Sequence, residues 1–295
     1  MKKFASILLA IFLGFIAGRL AASNRQGEVL HTLLFRVISP DGSVESYLFG
    51  THHAFSRSFF DTLKNANDKL MAADIVITES DPAPGHTAND IVNARTADTQ
   101  WSKYLTKADL AYLREHLQNS PANFEKLRPE ELHAALNREY TVNTCNTRSA
   151  ADPNLSIDEY IGFLAKQSGK RVIGLETAEE QLELIRKDIE GMPPKVHKKR
   201  LSRLIQLIKS GGDTQSCEAT SMYREMAFDY RLTEPCRNSL MLTDRNARWL
   251  EKIVGDLQSS SCFVAVGLSH LQFECGLISQ LRERGFVVTP VSTIE

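Results

Sequence analysis

Four short apolar runs in this chain lead into a histidine or a glutamate, and this pattern constrains the fold more than any other feature. Runs of this length, rich in β-branched residues, are typical of buried strands. In open α/β sheets, the crevice beyond the strand ends is where ligands bind and chemistry takes place. The polar residues that follow the four runs are His53, Glu79, Glu176 and His270. The sequence therefore predicts one polar cluster on one edge of one sheet.

Two of the four runs end in the same motif, Gly-x-x-His, at residues 50–53 and 267–270. The first motif also contains His52. If the strand continues, adjacent side chains point to opposite faces, so only one of the two neighbouring histidines should belong to the site. We favour His53, because its spacing from the glycine matches that of His270. A lone histidine at a strand end is more often a hydrogen-bonded structural residue, but two in matched contexts favour a site.

Helix-capping patterns indicate where two of the strands stop. Thr177-Ala178-Glu179-Glu180 has the Thr-x-x-Glu form of a capping box, so Glu176 should be the last residue before a helix. Residues 269–272 have the equivalent Ser-x-x-Gln form, which predicts that His270 lies in the first turn of a helix. The positive end of a helix disfavours imidazolium. We therefore expect His270 to be neutral, the state that binds a metal or accepts a proton.

The first 23 residues differ from the rest of the chain. Lys2 and Lys3 precede an uncharged apolar stretch over residues 4–18, and small residues follow at 21–23. This layout predicts a secretory signal cleaved after Ser23, because the apolar stretch is shorter than the ~20 residues that span a bilayer. An uncleaved N-terminal anchor is the alternative. We expect residues 24–295 to form a single domain.

Charge and cysteine content narrow the possible partners and the compartment. Loss of residues 1–23 would leave 32 basic against 36 acidic residues, a net charge near −4, so no nucleic-acid partner is expected. An exported chain enters an oxidising compartment, where disulfides form. We expect one or two bridges and favour the pair Cys217 and Cys236. The five cysteines are Cys145, Cys217, Cys236, Cys262 and Cys275.

The order of the elements predicts an α/β (α+β) fold, with a central mixed β-sheet and a large helical insertion between its N- and C-terminal strands. Residues 33–50 are typical of a hairpin, and residues 57–72 of an amphipathic helix. The Pro-rich segment 81–85 should form a loop over the strand ends. From about 100 to 257 the pattern is helical, interrupted only by a strand at 171–176. We interpret this stretch as an insertion, because the strands before and after it are expected to belong to one sheet.

One segment of the insertion, residues 195–209, has six Lys or Arg residues and no acid, with apolar residues at helical spacing. Such a segment could lie weakly on an anionic membrane surface or recruit a partner. The simpler interpretation is a solvated helix whose apolar side packs on the core, since one basic face is common on soluble proteins. We favour this second interpretation.

Several further motifs accompany the four strand ends in a fixed order. They are the Ile-Thr-Glu and Gly-Leu-Glu-Thr strand ends, Glu180-Gln181-Leu182, Arg245-Asn246 with Trp249, and Val264-Ala265-Val266 leading into the second Gly-x-x-His. Together with the paired histidine motifs, they give the chain a resemblance to the TraB/GumN family, which is related to the TIKI proteases. The resemblance runs from about Leu33 to Val291. No single motif is decisive, but their order and spacing make the match strong.

This resemblance implies a hydrolase that depends on a divalent metal and acts on a peptide or protein, since the TIKI relatives cleave peptide bonds. By position, the two family histidines would be His53 and His270. With Glu176 they would form a metal site for Mn, Co or Zn. Two imidazoles and one carboxylate commonly hold a first-row divalent ion and leave a position for water.

The resemblance also assigns catalytic residues, namely Glu79, Glu176, Arg245 and Asn246. A carboxylate that does not hold the metal could act as general base, and Arg245 could stabilise the negative charge on a tetrahedral oxygen. Each assignment has an ordinary structural alternative. The two glutamates could cap helices or pair with arginines, and Arg245 could be a solvated or salt-bridged residue.

Three functions from different classes are compatible with this pattern. The first is an exported metal-dependent hydrolase that acts on peptides. The second is a protein that binds a peptide or a haem-like ligand in the same cleft without turnover. The third is a metal-independent hydrolase in which a histidine activates water between carboxylates. Metal analysis of the purified protein separates the first from the third, and turnover separates both from the second.

Overall fold

A computed structural model describes residues 29–152, 156–211 and 217–294. The predicted signal segment, residues 1–23, lies outside the described residues. The described part of the chain combines helices with a mixed sheet, as the sequence predicts. Within this part, no helix is both long enough and apolar enough to cross a membrane.

The strands are β1 (Val29–His31), β2 (Leu34–Ile38), β3 (Glu45–Thr51), β4 (Ile75–Ser80), β5 (Arg171–Glu176), β6 (Ala227–Asp229), β7 (Cys262–Gly267) and β8 (Val287–Val291). Six of them form a sheet in the order β5-β4-β7-β3-β2-β8. Strands β5, β4, β7 and β3 run parallel, whereas β2 is antiparallel to β3 and β8. The predicted hairpin is β2 and β3. Strand β6 was not predicted in the helical insertion, and it forms because β1 supplies a partner for its backbone.

Helices surround the larger sheet and extend beyond it. They are α1 (Arg57–Phe60), α2 (Lys64–Ala72), α3 (Ala88–Ala94), α4 (Lys107–His116), α5 (Pro129–Thr144), α6 (Ile157–Gln167), α7 (Ala178–Asp188), α8 (Pro194–Lys209), α9 (Glu218–Glu225), α10 (Asp244–Ser259) and α11 (Leu277–Glu283). Helix α6 packs against β4, β5 and β7. Helix α10 buries Trp249, Leu250, Ile253 and Leu257 in the same core. The spacing of these positions is that of one helix face.

The helical insertion has a second apolar core, in which α5 packs against α8. Leu201, Leu204 and Ile205 of α8 are buried in this core. The favoured interpretation of segment 195–209, a helix packed on the core, is therefore what the structure shows. Four of its six basic residues are exposed, so any membrane contact would be made by these charges alone and stays a prediction.

The single helix predicted over residues 57–72 is wrong, because the structure has a break between α1 and α2. At the break, the side-chain amide of Asn67 donates hydrogen bonds to the carbonyls of Phe60 at 2.8 Å and Leu63 at 3.1 Å. The side chain thus takes up the carbonyl of Phe60, which a continuous helix would have used for its own ladder, whereas the carbonyl of Leu63 also accepts from the backbone N–H of Asn67. Of the four residues predicted to form the apolar face of that helix, Phe60, Leu63 and Leu70 are buried, whereas Met71 is exposed.

Two disulfides join the described residues, in a pairing that differs from the prediction. Cys145 is bonded to Cys217, and Cys236 is bonded to Cys275. The expected bridge between Cys217 and Cys236 is wrong, because Cys217 at the start of α9 lies beside Cys145 at the end of α5. Cys262 is buried in β7 and is free.

Candidate functional site

The carboxyl ends of four neighbouring parallel strands meet at one edge of the larger sheet. In spatial order, β5, β4, β7 and β3 lead to Glu176, Glu79, His270 and His53. The predicted capping box at Thr177 is present and starts α7 directly after Glu176. The structure therefore places these four side chains along a single sheet edge, as expected from the strand-end pattern.

Arg245 lies at the centre of this edge and reaches it from α10. Its guanidinium donates to both oxygens of Glu176, at 2.9 Å from Nε to Oε1 and 2.8 Å from Nη2 to Oε2. Nη2 also donates to Glu79 Oε2 at 2.9 Å, and Nη1 lies 3.0 Å from His270 Nε2. The Trp249 ring covers the group, with its centroid 4.6 Å from the guanidinium carbon and 4.3 Å from the imidazole centroid. One cation thus joins three strand ends.

The members of this Arg245 cluster are buried, so their charges interact strongly. Glu79, Glu176 and Arg245 are each only 5–6% exposed. Burial alone would raise the pKa of the Glu79 carboxyl, but the positive charges around it hold that pKa below its ordinary value. Burial also opposes the charge on Arg245, yet its bonds to the two glutamates raise its pKa. Glu176 has a second cationic partner, Arg248, at 3.3 Å.

Hydrogen bonds determine the protonation state of His270. A guanidinium can only donate, so Nε2, which faces Arg245 Nη1, must hold the lone pair. Nδ1 then carries the proton and donates to Asn246 Oδ1 at 2.7 Å. Asn246 is held in turn, because its Nδ2 donates to the carbonyl of Cys275 at 2.8 Å. Burial lowers the pKa of His270 to about 3, with Glu79 acting against this shift and Arg245 adding to it.

The neutral state predicted for His270 is found, but the reason given for it is wrong. Residues Leu268–His270 form a short 3-10 turn that starts after Gly267, and the predicted capping box does not form in this described segment. Helix α11 begins later, after Phe273 has interrupted the chain with a φ of 69°. Burial and the charge of Arg245, not a helix terminus, keep the imidazole uncharged.

The glycines of the two Gly-x-x-His motifs have different roles. The backbone N–H of Gly267 donates to Glu79 Oε1 at 2.7 Å, and a Cβ at Gly267 would lie 3.0 Å from the same oxygen. At Gly50, a Cβ would lie 2.8 Å from Cδ1 of Leu268, which is too close. Gly267 therefore positions a carboxylate, whereas Gly50 lets β3 approach the turn that contains His270.

His53 lies beside the Arg245 cluster and pairs with Asp158. His53 Nδ1 is 2.6 Å from Asp158 Oδ2, and the side chains are 60% and 11% exposed. Asp158 raises the pKa of His53. Burial would raise the pKa of Asp158, but His53 holds it well below its usual range. The charge of His53 also lowers the pKa values of Glu79 and His270, so this pair belongs to the same polar edge.

Sequence analysis missed Asp158. The residue is in the first turn of α6, where Ser156 and Glu159 form a capping box. Acidic residues are ordinary at this position, because they interact favourably with the positive end of a helix. The only signal that could have marked Asp158 is its ability to reach a strand-end histidine, and this depends on how α6 packs on the sheet.

His52 points away from the polar edge. Its ring packs against Phe55 and Tyr223, with centroid distances of 5.5 and 5.3 Å, and its Nδ1 accepts from the N–H of Ala54 at 3.2 Å. Burial lowers the pKa of His52 to about 4. The side chains of the two adjacent histidines therefore point in different directions, as expected, and His53 is the one that lies at the polar edge.

The metal ligands implied by the family resemblance are not assembled. His270 Nε2 and both oxygens of Glu176 accept hydrogen bonds from Arg245, and His53 is paired with Asp158. Over residues 29–152, 156–211 and 217–294, no three His, Cys, Asp or Glu side chains are grouped so that they could hold a metal ion. The guanidinium stands between the expected ligands, and its charge would repel a cation. In this arrangement the residues do not fit a divalent metal.

The fold and this edge define a class of protein, an α/β domain whose parallel strands end in a buried cluster of acids, arginine and histidine. A family model described as TraB/PrgY/gumN family matches residues 33–290. The chain therefore belongs to this family, in agreement with the resemblance of its motifs. No curated protein matches the chain.

Proposed function

We propose that the protein is an exported hydrolase of peptide or protein substrates, in which His270 is the general base and His53 the general acid. The observation that carries this proposal is the opposite state of the two rings. His270 presents a lone pair at Nε2, whereas His53 is paired through Nδ1 with a carboxylate. Groups whose surroundings push their pKa values apart commonly divide acid and base work. The two disulfides support export.

In the proposed reaction, His270 Nε2 removes a proton from a water molecule as the water oxygen attacks the carbonyl carbon of the substrate. The carbon–nitrogen bond then breaks, and the His53 imidazolium gives its proton to the leaving amine. His270 releases its proton to solvent, and His53 takes one up. Glu79 Oε1, 4.0 Å from His270 Nε2, would stabilise the imidazolium that forms in between.

Arg245 has a second role in this proposal. Its Nε and Nη2 are held by the two glutamates, whereas Nη1 contacts only His270 Nε2 among the described residues. When a water molecule takes the place of Nη1 at Nε2, Nη1 becomes free to donate to the carbonyl oxygen of the substrate. A fixed guanidinium at this point would stabilise the negative charge that develops on that oxygen.

The experiment is a peptide-library screen with the mature protein, run with a chelator and with Mn, Co or Zn added separately. We expect turnover that survives the chelator, because every proposed step uses side chains of the chain itself. Turnover only with one of the metals would contradict this mechanism and support the metal-dependent hydrolase that the family resemblance implies. Tight binding of a peptide or of haem without turnover would instead support a binding protein.

A further inference from the structure

A cleft of about 500 Å³ opens beside the segment that follows His53. Its apolar walls include Phe55, Phe59 and Met226, and two guanidinium groups, those of Arg148 and Arg224, line it as well. This volume is within the range of sites that hold small ligands. An apolar cleft lined by two cations matches a ligand that is apolar at one end and anionic at the other.

The two arginines are held in place by backbone carbonyls and not by acids. Arg148 donates to the carbonyls of His53 at 3.2 Å and Ala54 at 3.3 Å. Arg224 donates through Nη2 to the carbonyls of Cys145 and Asn146, both at 3.2 Å. Neither guanidinium forms an ion pair with a described residue. Both guanidinium groups are therefore available to pair with a ligand carboxylate, although burial lowers the pKa of Arg148.

Three acids, Asp152, Asp158 and Glu159, act on the charge of Arg148 from a distance, and none of them forms an ion pair with it among the described residues. Asp152 accepts hydrogen bonds from the Ser58 N–H at 2.8 Å, the Ser58 hydroxyl at 2.7 Å and the Ser149 N–H at 2.8 Å. Its carboxylate is thus directed at the loop backbone. The bond between Cys145 and Cys217 holds the start of α9 against the loop, so both guanidinium groups are attached to one cross-linked frame.

We propose that this cleft binds the C-terminal residue of a peptide, with its apolar side chain against Phe59 and Met226 and its carboxylate on Arg148 and Arg224. Guanidinium groups bind carboxylates with paired, charge-assisted hydrogen bonds. Asn146 and Ser149 on the rim suit the amide groups of a peptide better than an acyl chain. The inference rests on the proposed hydrolase function and adds a substrate class, peptides with a free carboxylate and a large apolar last residue.

Calorimetric titration of the full chain with N-acetyl-Ala-Phe and with its carboxamide tests the proposal. We expect the acid to bind roughly tenfold more tightly than the amide, because charged hydrogen bonds are lost in the amide. Arg224→Gln, at an exposed helical position, should remove this preference. Arg203→Gln, on an exposed position of α8 outside the cleft, is the matched control and should keep it. Phe59→Ser should weaken both ligands.

Equal affinity for acid and amide, or an unchanged preference in Arg224→Gln, would overturn the proposal. So would binding of decanoate without binding of the dipeptide, which would assign the cleft to an acyl chain. The titration is independent of turnover. If the protein binds the acid but cleaves no peptide, the cleft proposal stands and the hydrolase proposal fails. If it cleaves peptides equally well with and without a free C-terminal carboxylate, the hydrolase proposal stands and the cleft proposal fails.

Discussion

Two arginines that bind buried carboxylates in this molecule have very different partners. Arg95, directly after α3, forms a bidentate pair with Glu131 of the helical insertion, both bonds 2.7 Å long, and donates to the carbonyl of Lys126 at 2.9 Å. Glu131 also accepts from the backbone N–H of Arg128 at the start of α5. Arg245, at the sheet edge, is shared by two carboxylates and a neutral imidazole.

The difference lies in what the partners can do. Every bond of the Arg95 pair goes to one acid or to the backbone, so the pair joins neighbouring segments and leaves no titratable group available. The partners of Arg245 come from three strands that are far apart in sequence, and one of them, His270, can gain a proton. An arginine of the first kind is a structural cross-link, whereas one of the second kind indicates a site.

The largest effect should come from the histidines at the sheet edge. His270→Gln and His53→Gln should each reduce kcat by roughly 10²- to 10⁴-fold, because each removes a proton-transfer group. The double variant should be scarcely worse than either, since parts of one catalytic unit are not additive. His116→Gln is the matched control, because His116 also pairs with a carboxylate, Glu139, at 2.6 Å, but in the insertion. If His116→Gln also lost turnover, the sheet edge could no longer be distinguished from the insertion as the place of catalysis.

Arg245→Gln and Arg95→Gln compare the two arginines directly. Each leaves a buried carboxylate without its cation, which costs about 3–5 kcal/mol of unfolding free energy. Only Arg245→Gln should also lower kcat per folded molecule, by about 10²-fold or more, because it removes the donor for the substrate oxygen. Denaturant unfolding and active-fraction kinetics measure both quantities. Equal kinetic losses in the two variants would show that Arg245 is structural.

A smaller effect is expected from Asn246→Leu, which leaves His270 Nδ1 without its acceptor. The ring would lose the bond that selects its tautomer, and kcat should fall roughly tenfold while the affinity for substrate changes little. Asn246→Asp should behave differently, because a carboxylate at this point favours the imidazolium and would raise the pKa of His270. NMR titration of the ring distinguishes these outcomes, and an unchanged kcat in both variants would contradict the positioning role.

The smallest effect concerns Asp158→Asn, which should return the pKa of His53 from its raised value towards the ordinary 6.5. A raised histidine pKa stabilises the native state below the ordinary value and loses that effect as the pH rises through the raised value. The stability gap between wild type and variant should therefore be full between about pH 4 and pH 6.5 and shrink at alkaline pH, where His53 loses its proton, and at acid pH, where Asp158 gains one. NMR titration of the ring is the direct measurement, and the signals of His116 should not respond.

The strand ends could be predicted from sequence because a short apolar run is a local signal. His53, Glu79, Glu176 and His270 follow such runs, and parallel strands bring their carboxyl ends to one edge. The central position of Arg245 could not be predicted, since it depends on how α10 packs through its buried face. The family resemblance marked Arg245 as a catalytic residue beside a metal. In the structure, Arg245 instead lies between residues that were expected to bind the metal.

Other differences also come from long-range packing. Asp158 has the sequence signature of any acid in a first helical turn, and only the docking of α6 brings it to His53. The disulfide partners of Cys145 and Cys275 lie far away in sequence, whereas the predicted bridge joined two nearby cysteines. Patterns within a few residues give no information on such contacts.

The position of β7 between β4 and β3 has a consequence for how the protein is made. Until residues 262–267 have left the ribosome, these two strands have no common neighbour, and Glu79 and His53 cannot be held at one edge. The pairing of Tyr47 with Phe263 then joins residues that are separated by most of the chain. Contacts between residues so far apart in sequence form slowly. Assembly of the site is therefore a late folding event.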